Sequence, residues 1–314
     1  FGADALTYRL NDAAPRAGIA DGAEVDRLTA LSLNEAQVIF ATGSPPAPLR
    51  SLDDAMAHGT GPMAETAADD PAILIYTSGT TGAPKGVLHA HRFLFGHLPC
   101  MQLSQGDFPQ PGAVGWTPAD WAWIGGLMDM AIPCLFHGVP QIAHRFAKFD
   151  PDAAFALMAG QEVTNAFIPP TALRMMRGAR VPDDLVLRAI GSGGEALGAD
   201  LLDWGRDALG CPINEFYGQT EANLVIAACD GVMDRVPSAM GLPVPGHEVA
   251  ILGEGDRPAD MGEICIRAPD PVMMLRYWNK PEATAGKVRN GWLRTGDLAE
   301  RVSGQFRFLS RDDD

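Results

Sequence analysis

Positive charge is scarce in this sequence, and the scarcity limits its partners. The 314 residues carry 24 Lys and Arg against 39 Asp and Glu, which gives a net charge of −15. Nucleic acids and anionic membranes bind basic surfaces, so neither is an expected partner. No uninterrupted apolar run is long enough to span a bilayer and no signal peptide opens the chain, so we expect a cytoplasmic protein.

Cysteine is also sparse, and its spacing does not favour cross-links or metal sites. The five cysteines are Cys100, Cys134, Cys211, Cys229 and Cys265. Their number is odd and no C-x-x-C pair is present, so we expect each to be a small buried hydrophobic residue in a reducing compartment. His89 and His91 have no third ligand nearby in the sequence, and we expect them at a polar helix start rather than on a metal.

The common nucleotide-binding P-loop is missing, but a loop with similar chemistry is present. Counting from Gly79, the motif G-x-x-x-x-G-K-[ST] needs glycine where Pro84 stands and a hydroxyl residue where Gly86 stands. The loop follows an apolar, strand-like run at 72–75 and contains Thr77, Ser78, Gly79, Thr80, Thr81, Gly82 and Lys85. Glycines allow backbone N–H groups to face an anion, while hydroxyls and lysine add donors and charge. We therefore expect a phosphate loop of a different type.

Apolar periodicity predicts an α/β fold. Runs short enough for buried strands lie at 131–136, 163–168 and 186–190, and strands are also expected at 16–20 and 37–40. Helical spacing covers 2–11, 89–98, 152–159 and 199–209. This alternation predicts mainly parallel sheets with helices on both faces and ligands at the carboxyl ends of the strands. Short strands separated by Gly, Pro and Asp turns, at 248–252, 263–267, 291–294 and 305–309, predict a small β-barrel.

Four segments together resemble the AMP-forming adenylating enzymes, the superfamily of acyl-CoA synthetases, luciferases and peptide-synthetase adenylation domains. The first segment is the loop Thr77–Lys85, and Asn214–Glu221 resembles the family's aromatic-Gly-x-Thr-Glu element. Trp292–Leu298 is similar to its Thr-Gly-Asp element, and Ser310–Asp314 resembles its Gly-Arg-x-Asp-Asp hinge with Ser310 where glycine is usual. Weaker matches are Pro170–Arg174, Gly193–Ala196 and Tyr277–Thr284.

The resemblance implies three domain segments. Residues 1–237 would form the α/β nucleotide- and acyl-binding subdomains without their N-terminal part, and 238–309 would form the β-rich subdomain. Residues 310–314 would begin the hinge to a C-terminal domain that carries the main catalytic lysine. Since the chain starts at Phe1 and stops within the hinge motif, we expect a fragment that binds adenine nucleotides but is nearly inert alone.

The reaction implied by the resemblance uses ATP, Mg²⁺ and coenzyme A. A carboxylic acid attacks the α-phosphorus of ATP to form an acyl-adenylate and pyrophosphate, and coenzyme A then displaces AMP. Lys85, Thr220 and Glu221 would act in catalysis, with Glu221 as the Mg²⁺ ligand. Nucleotide contacts would come from the phosphate loop already named and from Gly194, Glu195, Ala196, Glu215, Phe216, Tyr217, Gly218, Gln219, Thr220, Asp297 and Arg311. Tyr217 would stack on adenine, and the Asp297 carboxylate would accept bonds from the ribose hydroxyls.

The acyl pocket implied by the resemblance is lined by Trp123, Ile124, Gly125, Gly193 and Gly218. Acetate enzymes of the family narrow the pocket with a tryptophan and a valine where this chain has Gly218 and Gly193. We therefore expect an open apolar cavity and a medium-chain, branched or aromatic acid. An acetyl- or propionyl-CoA synthetase and a nucleotide-binding fragment without turnover are the alternatives. Peptide-synthetase domains use a buried aspartate in this region, and no clear equivalent stands out here.

Overall fold

The computed structural model describes residues 2–29, 38–58, 61–77, 83–236 and 238–311. The chain forms two compact units. The first consists of Phe1–Ala67 and Tyr76–Gly86, and the second of Ala68–Ile75 and Val87–Asp314. Because the phosphate loop falls within 76–86, its described ends belong to the first unit, whereas the other motifs belong to the second.

The first unit is a small α/β unit. Its elements are α1 (Ala3–Ala13), β1 (Ala17–Ala20), α2 (Val25–Thr29), β2 (Val38–Ala41), β3 (Arg50–Ser51) and α3 (Leu52–Ala57). The three strands form a parallel sheet in the order β1-β2-β3. Two tyrosines join α1 to the ends of the phosphate loop: the Tyr76 hydroxyl donates to Asp12 Oδ2 (2.7 Å), and the Tyr8 hydroxyl donates to the Pro84 carbonyl (3.0 Å).

The second unit is built on a seven-stranded sheet in the order β12-β11-β10-β9-β8-β6-β7. Its strands are β6 (Gly115–Trp116), β7 (Gln141–Ile142), β8 (Asn165–Phe167), β9 (Ala189–Gly193), β10 (Ile213–Gln219), β11 (Ala222–Ala228) and β12 (Leu242–Pro243). The run from β7 to β10 is parallel, while β11 and β12 are antiparallel additions. The site residues Gly193 and Gln219 end two adjacent parallel strands, where α/β folds place ligands.

Helices surround this sheet in sequence. They are α4 (Phe93–Ser104), α5 (Ile124–Gly126), α6 (Ile132–His137), α7 (Pro151–Gly160), α8 (Pro170–Met176), α9 (Ala199–Trp204) and α10 (Pro281–Lys287). Asp150 caps α7 by accepting bonds from the backbone N–H groups of Asp152 (3.0 Å) and Ala153 (3.2 Å), and Pro151 fits its first turn. Among the residues that the structure describes, no helix is long and apolar enough to cross a membrane.

Two further sheets complete the second unit. An antiparallel sheet contains β13 (Val249–Leu252), β14 (Met261–Arg267), β16 (Val288–Arg289), β17 (Trp292–Val302) and β18 (Gln305–Arg311). The other joins β4 (Pro71–Tyr76), β5 (Gly86–Ala90) and β15 (Arg276–Tyr277). One hydrophobic core packs Val225 and Ile226 of β11 against Ile251, Ile264 and Phe306, on both sides of residue 237.

The α/β class with an added β-rich part is confirmed, and most expected elements occur close to their expected positions. The strand expected at 131–136 is wrong: a π-helical segment, Leu127–Ala131, runs into α6, which ends at Gly138 in the left-handed conformation. A short, fully apolar run does not distinguish a buried helix from a buried strand. The helix expected at 89–98 starts only at Phe93, because His89 lies in β5, where every residue is buried. All five cysteines are free and buried, as expected.

Candidate active site

Three separate motifs meet at the carboxylate of Asp297, which is only 5% exposed. Its Oδ2 accepts hydrogen bonds from the Tyr217 hydroxyl (2.6 Å) and from Gln219 Nε2 (2.5 Å). Its Oδ1 pairs with Arg311 Nε at 3.2 Å. Tyr217 and Gln219 lie on β10, Asp297 on β17 and Arg311 on β18. The structure therefore brings together Tyr217, Gln219, Asp297 and Arg311, which were assigned from separate segments of the sequence.

This carboxylate is prepared to bind further donors. A carboxylate offers about four acceptor positions, and the three side-chain donors occupy most of them. Two ribose hydroxyls would therefore replace at least one present partner, and the half-exposed Arg311 is the easiest to displace. Gln219 Oε1 is buried with no hydrogen-bond partner among the described residues, so the site also holds an acceptor that a ligand could satisfy. Burial and the Asp297 charge raise the pKa of Tyr217, which stays a donor at neutral pH.

The turn between β10 and β11 presents Thr220 and Glu221. The Tyr277 hydroxyl donates to Glu221 Oε1 at 2.5 Å, and the backbone N–H of Met274 donates to the Glu221 carbonyl at 2.8 Å. His89 Nε2 donates to the Thr220 carbonyl at 2.7 Å. Burial lowers the pKa of His89 to about 4, so the ring is neutral. The expectation that His89 stands at a polar helix start is therefore wrong: it is a buried partner of the catalytic turn.

Lys287 adds a positive charge to this region. Its Nζ donates to the Thr295 carbonyl at 3.3 Å, and the same carbonyl accepts Gln219 Nε2 at 3.0 Å. Burial lowers the pKa of Lys287, opposed by the negative charges of Glu221 and Asp297. The sequence analysis did not select Lys287, because no motif marks it.

The loop after β9 is joined to α8. Glu195 accepts a hydrogen bond from the Thr171 hydroxyl (2.7 Å) and pairs with Arg174 (2.8 Å), which also donates to the Ala196 carbonyl (3.0 Å). These hydrogen bonds lower the pKa of Glu195. The two weaker sequence matches, Pro170–Arg174 and Gly193–Ala196, are therefore one structural feature.

Glu215 is in contact with the protein interior. Its Oε1 accepts the backbone N–H of Leu197 at 3.2 Å, and burial raises its pKa to about 7. Phe216 is also buried, and its ring stacks on Phe167 with centroids 5.6 Å apart. Their predicted nucleotide contacts are untested, and both side chains support the strand that carries Tyr217.

Aromatic rings form the candidate acyl wall. Trp123 is 39% exposed, and its ring lies 5.8 Å from that of Phe167. A Cβ on Gly125 would lie 2.6 Å from the Trp123 ring, and one on Gly194 would lie 3.3 Å from it. Glycine at both positions therefore allows the indole to pack there. Ile124, by contrast, is buried in the hydrophobic core.

The open cavity expected at Gly193 and Gly218 is wrong at these two positions. A Cβ on Gly193 would lie 2.6 Å from Cδ2 of Phe216, and one on Gly218 would lie 2.6 Å from Cα of Asn223. Gly218 also stands where the register of β10 and β11 shifts. Both glycines allow close strand packing rather than border empty space.

A buried aspartate does occur near this segment, which the sequence analysis missed. Asp129 is 3% exposed, and its Oδ1 accepts a bond from Asn223 Nδ2 at 2.6 Å. Burial raises its pKa well above the usual range.

The phosphate loop is only partly described. Thr77 and Lys85 face each other at its ends, where the Thr77 backbone N–H donates to the Lys85 carbonyl at 3.0 Å. Residues 78–82, which include Ser78, Gly79, Thr80, Thr81 and Gly82, lie outside the described residues, so their predicted phosphate contacts remain predictions.

The donor set around Glu221 fits Mg²⁺ bound jointly with a nucleotide. Within the described ranges, no group of three or more His, Cys, Asp or Glu side chains could hold a metal. Mg²⁺ commonly uses one or two carboxylates together with substrate phosphates and water, so one carboxylate suffices.

Acidic and aromatic side chains at the carboxyl ends of parallel strands define a ligand-binding α/β protein of the nucleotide-binding type. The family model described as AMP-binding enzyme matches residues 1–278, and the chain belongs to this family. It is 29% identical to an uncharacterised acyl-CoA ligase, YtcI, of Bacillus subtilis, over 98% of this chain and 59% of that protein. It is 31% identical to the acetyl-coenzyme A synthetase of the same organism, over 78% of this chain and 44% of the relative. The chain thus spans about half the length of these curated relatives.

Solved structures support the same family. A Brucella canis acyl-CoA synthetase superimposes with a TM-score of 0.86 at 26% identity, covering 100% of this chain and 59% of that one. ATP-bound MatB from Rhodopseudomonas palustris superimposes with a TM-score of 0.85 at 27% identity, covering 100% and 62%.

Proposed function

We propose that this chain supplies the nucleotide- and acid-binding part of an AMP-forming acid–CoA ligase. The observation that carries the proposal is the convergence of Tyr217, Gln219 and Arg311 on the Asp297 carboxylate. Family membership and the likeness to acyl-CoA synthetases support it. The substrates would be ATP, coenzyme A and a carboxylic acid.

In the first step, a carboxylate oxygen of the acid bonds to the α-phosphorus of ATP, and the bond from that phosphorus to the bridging oxygen breaks, releasing pyrophosphate. Asp297 would hold the ribose and Tyr217 the adenine, so that the α-phosphate lies near Thr220. Bound Mg²⁺, held by Glu221, would neutralise phosphate charge. Thr220 and Lys287 would donate to the phosphate oxygens, and the loop from Thr77 to Lys85 is proposed for the leaving pyrophosphate.

In the second step, the sulfur of coenzyme A bonds to the acyl carbon and the carbon–oxygen bond to AMP breaks. The thiol proton passes to solvent. AMP leaves with the oxygen that the acid contributed, so atoms and charge balance.

The aromatic wall of Trp123, Phe167 and Phe216 favours an aromatic or medium-chain apolar acid. A second candidate, an acetyl- or propionyl-CoA synthetase, is favoured by Phe216, whose ring occupies the space beside Gly193 where the expected cavity would open.

The experiment is an acid panel with the protein that contains this chain. Exchange of labelled pyrophosphate into ATP is measured with acetate, propionate, hexanoate, benzoate and an amino acid, the last because of the buried Asp129. We expect exchange only when an acid is present, with benzoate or hexanoate preferred over acetate. Exchange that is independent of acid, or absent with every acid although ATP binds, would contradict the proposal.

A further inference from the structure

The Thr220–Glu221 turn is held from one side by a separate sheet. Strand β15 pairs antiparallel with β5, with Tyr277 opposite Val87 and Arg276 opposite Leu88. Tyr277 from β15 reaches the Glu221 carboxylate, and His89 from β5 reaches the Thr220 carbonyl. Two neighbouring strands thus contact the two functional residues of one turn.

Tyr277 is itself firmly placed. It is 4% exposed and packs with Val87 and Met274 in a small hydrophobic cluster. Its backbone N–H donates to the Thr284 hydroxyl at 3.0 Å. Because ring and backbone are both fixed, its hydroxyl marks a fixed point for the Glu221 side chain.

From these contacts we infer that Tyr277 is a positioning residue that orients the Glu221 carboxylate for Mg²⁺. With Oε1 held by the tyrosine hydroxyl, Oε2 is the oxygen directed to the metal. His89 fixes the main chain of the same turn, so that the Thr220 hydroxyl and the Glu221 carboxylate keep one relative placement. The inference rests on the proposed function, which makes Glu221 the metal ligand.

The physical effect of the tyrosine is orientational. A free glutamate side chain samples several rotamers, and ordering it for a metal costs side-chain entropy. A bond from a fixed hydroxyl orders the carboxylate before the metal arrives. Loss of such outer partners of metal ligands typically lowers metal affinity about 10- to 100-fold.

The test compares the dissociation constant of ATP with excess Mg²⁺ and with EDTA, in the wild type and in Tyr277→Phe, Glu221→Ala and Tyr217→Phe. AMP affinity, which needs no metal, is measured for each protein, and thermal melting checks folding. Mn²⁺ bound in the ATP complex, detected by water-proton relaxation, reports the metal directly.

For Tyr277→Phe we expect the gain in ATP affinity from Mg²⁺ to fall about tenfold or more while AMP affinity is unchanged. Tyr217→Phe is the matched control, because it removes a hydroxyl bonded to Asp297 instead. It should weaken AMP and ATP alike and leave the Mg²⁺ gain intact.

The outcomes separate the inference from the function it rests on. If wild-type protein binds no AMP, the proposed function fails. If Glu221→Ala keeps the Mg²⁺ gain, the metal assignment fails and the inference falls with it. If Glu221→Ala loses the gain but Tyr277→Phe keeps it, the positioning role of Tyr277 alone is refuted.

Discussion

Glu215 makes the stability of this protein depend on pH. Its carboxylate is buried on β10, and burial raises its pKa from the ordinary 4.5 to about 7. Between these values the folded state binds a proton that the unfolded state has released. The favourable contribution is therefore complete below pH 4.5 and is lost as pH rises through about 7.

The size of the effect follows from the change in pKa. A pKa displaced from 4.5 to about 7 corresponds to a cost of about 3 kcal/mol once Glu215 is fully ionised. Of this, about 2 kcal/mol develops between pH 5 and pH 8. Glu215→Gln keeps an acceptor for the Leu197 N–H but carries no charge, so it should avoid this cost.

The assay is urea unfolding of the wild type and Glu215→Gln at several pH values from 5 to 8. We expect the variant to be progressively more stable than the wild type as pH rises, by about 2 kcal/mol more at pH 8 than at pH 5. Glu195→Gln is the matched control, since the pKa of Glu195 is lowered and its charge state is constant across the upper half of this range. Parallel pH profiles for wild type and Glu215→Gln would refute the reasoning.

Three further changes probe the site. Gly218→Ala should lower the free energy of unfolding by about 1–3 kcal/mol, because its Cβ would press on the backbone of β11; a variant as stable as the wild type would contradict the packing. Lys287→Met should weaken ATP binding about tenfold, as expected for loss of a charge-assisted bond, and equal calorimetric affinities would remove Lys287 from the site. Arg174→Met should raise the dissociation constant of AMP by freeing the loop at Glu195, with Arg180→Met, an exposed arginine beyond α8, as the unaffected control.

Sequence motifs located the nucleotide site well, because each carries its side chains on one short segment. Tyr217, Asp297 and Arg311 were assigned from separate motifs, and the structure joins them at one carboxylate. Partners that belong to no shared motif were missed. The bond between Tyr277 and Glu221 links residues 56 positions apart, and no local pattern encodes it.

Errors arose where local pattern is ambiguous. The apolar run at 131–136 suits a strand or a buried helix, and packing decided for the helix. Small residues posed a similar problem: glycine at 193 and 218 suggested empty space, but neighbouring Phe216 and β11 fill it. The volume beside a glycine depends on residues distant in sequence.

The central claim is that this chain binds an acyl-adenylate, with the ribose held at Asp297. The most direct measurement is calorimetric titration with AMP and with hexyl-AMP, a stable ester that mimics the intermediate, in wild type and Asp297→Ala. We expect one ligand per chain, tighter binding of the ester than of AMP, and loss of about tenfold or more in affinity for both in the variant. Equal binding of both ligands by wild type and Asp297→Ala, or no preference for the ester, would contradict the account.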